Sequence, residues 1–168
     1  MNPTLNFQVG NVSALPIIEN KISKFKDALS EISRELISIH RDDWDLFETS
    51  WSFKKNPLSG KTSKSISDSF KGYISEASES IKKALTLESK SNEIWLDAYQ
   101  LKHEIDYQVT KEQITLSVNT LYRYGIDNTQ RLQSDTIVEL ISYIIGCQMG
   151  RYSLDREGLV YAQEGNKG

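Results

Sequence analysis

Three short patterns in this sequence combine residue types that do chemistry elsewhere. Gly60-Lys61-Thr62 is the tail of a phosphate-binding loop, in which glycine N–H groups cradle the phosphates and the lysine reaches them. That loop needs a glycine at position 55, which is Lys55, and a hydrophobic strand before it, which is missing, so an ordinary basic loop is expected. His40-Arg41-Asp42 begins like a kinase catalytic loop, but the required asparagine is replaced by Phe47. A polar helix end, where His and Arg suit the negative dipole, fits it better. Glu88-Ser89-Lys90 has the Glu-x-Lys spacing of metal-dependent nucleases, yet it falls on a helical repeat and reads as a solvated face. Cys147, His40 and His103 are the only thiol and imidazole groups, too few for a structural zinc site.

Two clusters have the character of contact surfaces. Between residues 54 and 71, Lys54, Lys55, Lys61, Lys64 and Lys71 face one acid, Asp68, a local excess of four positive charges. These five lysines are the candidate contacts to a nucleic-acid phosphate backbone, with a solvated lysine-rich loop as the competing reading. Trp44, Phe47, Trp51 and Phe53 could stack bases. Their spacing of three and four instead predicts a short aromatic helix over 42–53, packed beneath neighbouring helices.

The rest of the composition sets bounds. A chain of 168 residues suits one domain. Its net charge of −3 argues against binding nucleic acid over the whole surface, so any DNA contact must be local. One cysteine gives no disulfide framework and suits a reducing compartment. No apolar run approaches the roughly 18 residues a membrane span needs, and Met1 to Phe7 lacks the form of a signal peptide. A cytoplasmic protein with no membrane partner is expected.

Periodicity supplies the elements. Ile18, Ile22, Phe25, Leu29, Ile32, Leu36 and Ile39 alternate steps of four and three, predicting a helix over 16–40 with Pro16 at its first turn. A second seam runs from Ile66 through Phe70, Tyr73, Ala77, Ala84, Ile94 and Ala98 to Ile105, favouring one helix over 64–105. Its Ala and Ser positions allow close approach, so the two should form a long antiparallel hairpin. Leu5, Phe7 and Val9 alternate like a strand that closes a preceding domain over 1–15, with Gly10-Asn11 as a turn. Residues 107–128 stay open: Ile114, Leu116 and Val118 alternate like a strand, while Thr110 and Gln113 could cap a helix. A last helix, capped by Thr129 or Ser134, should bury Ile137, Leu140, Ile141, Ile144 and Ile145. Gly146 within it suits close packing against another helix, and Gly150 suits a left-handed cap. The fold class expected is mainly α, with short β or extended segments near the N-terminus and around 114–118, and a single helical domain over 16–168.

Two tracts are unusual in composition: DWDLFETSWSFKKNPL at 43–58 and DTIVELISYIIGCQMGRYSLDREG at 135–158. With NFQVGNVSALPI at 6–17 and ITLSVNTLYRYG at 114–125 in the same order, they resemble the large adenine-specific DNA methyltransferases of bacterial BREX phage-exclusion systems (PglX type), themselves similar to type II restriction enzymes. The resembling region comes after the target-recognition domain and covers nearly the whole chain. The family has a histidine where Asn56 stands and an aromatic residue where Gln148 stands. The resemblance implies an interior slice of a longer enzyme whose active site lies elsewhere. Such enzymes carry Asn or Asp, then Pro-Pro and an aromatic residue; here Asn2-Pro3 and Asn56-Pro57 are succeeded by Thr4 and Leu58, and no Gly-x-Gly occurs among nine glycines.

The expectation is therefore a non-catalytic helical spacer of an adenine-specific methyltransferase in phage defence or restriction-modification. It would hold no catalytic, cofactor or metal residues, although the full-length family uses S-adenosylmethionine. Its partners would be the rest of the parent enzyme and the backbone of double-stranded DNA, and the chain alone would be a monomer. The competing reading is a free-standing helical module for protein–protein interaction.

Overall fold

A computed structural model describes residues 9–14, 16–17, 19–59 and 65–160. It is mainly helical, with 63% helix and no strand among the described residues. The helices are α1 (Val9–Ser13), α2 (Glu19–Ile22), α3 (Lys26–Trp44), α4 (Ile66–Tyr99), α5 (Thr120–Tyr124) and α6 (Thr129–Gln148), with single 3-10 turns at Ser23–Phe25 and Lys111–Gln113.

The long helix is one unbroken piece. The Ser65 hydroxyl caps α4 by accepting the Asp68 N–H at 3.1 Å, satisfying one of the donors a helix start leaves free. At the other end Gln100 takes a left-handed conformation (φ 62°), and Leu101 N–H reaches back to the Leu96 carbonyl at 2.8 Å. This is the bonding that ends a helix cleanly, made here without glycine. The polar stretch 89–93 stays helical, as the unbroken seam predicts.

α3 and the turns before it run antiparallel to α4. The Tyr99 hydroxyl donates to the Pro16 carbonyl near the end of α4, Lys83 meets Glu35 at 2.7 Å in the middle, and Asp43 and Tyr73 share a cleft near its start. Between them Leu29, Ile32, Phe70, Tyr73, Ala77, Ile81 and Ala84 are buried. The seam residues Leu36 and Ile39 pack against this core. The first arm of the hairpin is not continuous, because the 3-10 turn at Ser23–Phe25 separates α2 from α3.

Several expectations need correction, here and in the last helix. The aromatic tract 42–53 is no helix: α3 runs on to Trp44 and gives way to successive turns. Phe53 is buried there, but Trp44 is half-exposed and Trp51 fully exposed, so the tryptophans do not pack beneath the hairpin. Around 114–118 the extended alternative holds without a strand, and the alternation is faithful: Ile114, Leu116 and Val118 are buried and Thr115 is exposed. They lie extended on the core and then turn, with no neighbouring strand among the described residues to complete a ladder. Near the N-terminus Val9, Gly10 and Asn11 are helical, whereas Leu5 and Phe7 lie outside the described residues.

The last helix is turned by about a third of a revolution from the expected face. α6 buries Leu132, Thr136, Leu140, Tyr143 and Gly146, and of the predicted apolar set only Leu140 belongs to that face. Ile137, Ile141, Ile144 and Ile145 are exposed. The cap is Asn128, whose side-chain oxygen accepts the Arg131 N–H at 2.9 Å, in place of Thr129 or Ser134. Gly150 has the expected positive φ of 75°. Thr110 and Gln113 do form reciprocal capping bonds, around a single 3-10 turn.

Candidate functional site

The two unusual tracts meet in space. Phe53 from the first packs edge-on against Tyr143 and Tyr152 from the second, with ring centroids 5.9 and 5.3 Å away, and the two tyrosines stack at 5.2 Å. Such pairs contribute about 0.5–1.5 kcal/mol each beyond the area they bury. Gly146 makes room for this cluster: a Cβ there would lie 2.7 Å from Cδ2 of Tyr152. The close neighbour is thus a ring from the chain just beyond α6, where another helix was expected. After Gly150 the backbone turns back, and Gly158 N–H donates to the Lys54 carbonyl at 2.7 Å. Tyr152 Oη donates to Glu48 at 3.3 Å, and Arg151 lies 3.9 Å from the same carboxylate. Burial, then the Glu48 charge, raises the Tyr152 phenol. The result is a clasp that fastens the turns after α3 to the end of α6.

A second fastening is Asp43. Its two oxygens accept Ser117 N–H at 2.7 Å and Val118 N–H at 3.2 Å, tying the extended segment to the end of α3. Asn119, fully buried, donates to the carbonyls of Lys111 and Ile114 at 2.7 and 2.8 Å. These bonds do for 114–119 what a sheet ladder would otherwise do, because buried backbone groups must find partners.

Between the clasp and α4 lies a cleft of about 610 Å³, within the size range of small-molecule sites. Its walls include Ile39, Leu46, Tyr73, Ala77, Leu116 and Val118, with Asp42, Asp43, Asp45 and Glu76 among its acids and Lys54 and Lys55 as its bases. Asp43 is committed to backbone amides, and Asp45 accepts the Ser50 hydroxyl. Tyr73 is pushed well above the ordinary phenol value by burial. The contacts seen in this cleft are packing, hydrogen bonding and charge pairing.

Of the five candidate phosphate contacts, Lys54 and Lys55 share Glu157 at 3.4 and 3.8 Å, and Lys71 pairs with Asp68 at 3.4 Å. The hydrogen bond from Ser65, then Lys71, holds the Asp68 carboxyl below its usual value. All three pairs are exposed, where an ion pair is worth about 0–1 kcal/mol, so each lysine can exchange its acid for another anion. Lys61, Lys64 and the Gly60-Lys61-Thr62 pattern lie outside the described residues.

Two of the weak motifs come together: His40 lies 3.8 Å from Glu88, whose carboxyl is raised by burial and partly lowered again by His40. No group of three or more His, Cys, Asp or Glu among the described residues could hold a metal ion. Arg123 carries no motif in the sequence. It sits 3.5 Å from both Asp135 and Glu139 and faces the rings of Phe47 and Tyr124 at 5.7 and 5.5 Å, joining α5, α6 and the turns after α3. Burial and a hydrogen bond to Asp135 push the Tyr124 phenol up to about 12. No local pattern marks Asp43, Asn119 or Arg123, because each works through partners far along the chain or through backbone groups.

Comparison with known proteins places this arrangement. The chain is 43% identical over 171 residues to adenine-specific methyltransferase BrxX of Escherichia coli O9:H4 (strain HS), covering 99% of the chain and 13% of that protein. It is 30% identical over 167 residues to adenine-specific methyltransferase PglX of Lacticaseibacillus casei (strain Zhang), covering 96% of the chain and 13% of that protein. The chain thus spans only 13% of the length of the curated relatives it matches. No protein-family model matches it.

Proposed function

We propose, from the premise that this chain is a PglX-type segment of the adenine-specific methyltransferases, that it is a non-catalytic helical spacer within a phage-defence enzyme. It would keep the DNA-recognition part of such an enzyme at a fixed distance from the C-terminal part. The observation that carries this reading is α4, whose 34 residues run without a break and make a strut about 51 Å long at 1.5 Å per residue. α3 stiffens it along one side, and Asp43 and the aromatic clasp fasten the remaining segments to it. A free-standing adapter would leave the hairpin seam open for a partner, whereas Leu29, Ile32, Ala77, Ile81 and Ala84 close it from within.

S-adenosylmethionine would bind elsewhere in the longer enzyme, since this sequence contains neither a Gly-x-Gly nor an Asn-Pro-Pro-aromatic run. The lysines at 54, 55, 61, 64 and 71 would touch DNA backbone, which positions a protein on the duplex without reading bases. The chain alone would be monomeric and cytoplasmic; no described helix is long and apolar enough to cross a membrane.

The test is a chimera in which this chain replaces the matching segment of the E. coli relative. Methylation of that relative's own target sequence is the expected outcome, and a changed target would overturn the spacer role. Calorimetry on the isolated chain should give no heat with S-adenosylmethionine; micromolar binding would refute the non-catalytic assignment.

A further inference from the structure

The outer face of α6 is apolar although none of the described residues covers it. Ile137, Val138, Ile141, Ile144, Ile145 and Met149 are between 38% and 72% exposed. At 100° per residue the first five fall within about 120° of the helix surface, and Met149 extends the stripe just past its end. Leu132, Thr136, Leu140, Tyr143 and Gly146 occupy the opposite side and are buried in the chain's own core. α6 therefore carries two apolar faces, divided along one edge by Arg131, Asp135 and Glu139, and a second apolar face calls for a second neighbour. From Leu140 to Gly150 it carries no charged residue that would solvate the outer face.

We propose that this face is an internal docking surface, covered in the longer methyltransferase by an apolar surface from another part of the same polypeptide. The inference rests on the spacer reading above. Two observations select this occupant over a second copy of the chain. The matching segment is 13% of each curated relative, so most of such a polypeptide lies outside the structure and is available to cover it. The six side chains expose about 600 Å² together, at the top of the range for the largest apolar patch on an ordinary monomer. A stable complex between separate molecules usually buries about 800 Å² on each partner. A tethered partner needs less, because its effective concentration is high and much of the association entropy is already spent. A modest uncharged patch therefore suits intramolecular packing better than a dimer.

The experiment places cysteine at the centre of the face (Ile141→Cys) in the isolated chain and in the chimera with the E. coli relative. Maleimide labelling is read at position 141 by peptide mass, so Cys147 stays in place. Labelling in the isolated chain should proceed at the rate of a free thiol and in the chimera about tenfold or more slower. Equal rates overturn the proposal. Protection in the isolated chain, with a dimer mass by light scattering, overturns it in favour of a second copy. A second pair of variants guards against a chimera that fails to fold. Ile141→Asp with Ile145→Asp should leave the melting temperature of the isolated chain nearly unchanged, and it should abolish co-purification with the E. coli relative from which the matching segment has been deleted. A large loss of stability in the isolated chain, or co-purification that survives the change, overturns the proposal. Methylation by the chimera reports on the spacer reading alone, so a chimera that methylates DNA but labels fast sinks this inference and leaves that reading standing.

Discussion

Glu157 is the most informative residue to change if the lysine patch meets DNA. Its carboxylate lies 3.4 Å from Lys54 and 3.8 Å from Lys55, so it competes with phosphate for both. Its side chain is 56% exposed, and the Gly158-to-Lys54 backbone bond that holds this loop does not involve it. Glu157→Gln should therefore leave the fold intact while releasing two lysines. Each phosphate neutralised on duplex DNA adds about −0.9 to the slope of log affinity against log salt, so the slope should steepen by up to about 1.8. The affinity gain at low salt should be about 2–10-fold, since exposed pairs of this kind hold about 0–1 kcal/mol each. Replacing Lys54, Lys55, Lys61 and Lys64 by Ser should do the reverse and flatten the slope by up to about 3.6. Fluorescence anisotropy with a short duplex of arbitrary sequence, repeated across a salt series, measures both. Slopes unchanged in both variants would refute a phosphate contact and leave a solvated loop. A gain confined to one DNA sequence would show that the lysines read bases.

Three further outcomes test the fastenings. Asp43→Ala should cost about 3 kcal/mol, because it strands one buried and one part-buried backbone N–H group, and should lower the melting temperature by about 6–12 °C; a loss below about 1 kcal/mol in urea unfolding would contradict the role given to this carboxylate. Gly146→Ala improves helix propensity by about 1 kcal/mol, yet its methyl would press on a Tyr152 ring boxed in by Phe53 and Tyr143. Overpacking of about 1–3 kcal/mol should win, and a stabilised variant in thermal unfolding would show that the ring moves freely. The Glu139 carboxyl is raised mainly by burial, so its contribution to stability is full below the unfolded value near 4.5 and is lost as pH rises through the folded one. Glu139→Gln should therefore gain stability relative to the parent between pH 4 and pH 7, and urea titrations showing a flat or falling difference would reject that sign.

Periodic patterns were legible and partnerships between residues far apart in the sequence were not. The α4 seam could be traced through its polar middle because Phe70, Tyr73, Ala77 and Ala84 hold one phase, and these residues are buried. The segment 114–118 shows where the inference stopped. Alternation told which side chains go inside, and Ile114, Leu116 and Val118 do. It could not tell what would satisfy the backbone, since Asp43 lies 74 residues before Ser117 and carries no mark of that task. The similarity to PglX-type methyltransferases was legible from the tracts at 43–58 and 135–158, and the structure gives a physical reason for treating them together: Phe53 and the two tyrosines form one cluster, and Lys54 is bonded to Gly158.

α6 fails in the most instructive way. Its isoleucines were assigned to the core because apolar residues at helical spacing ordinarily face one. In the isolated chain the opposite face wins, since Tyr143 and Gly146 fit the Phe53–Tyr152 cluster and Leu140 fits the main core. A helix has one set of positions facing its own domain, so two apolar faces require two neighbours, and the described residues supply one. The docking proposal supplies the second neighbour from the remainder of the longer enzyme. If position 141 labels as fast in the longer enzyme as in this chain, that explanation of the mistaken face fails with the docking proposal, and the exposed isoleucines are left without a physical cause.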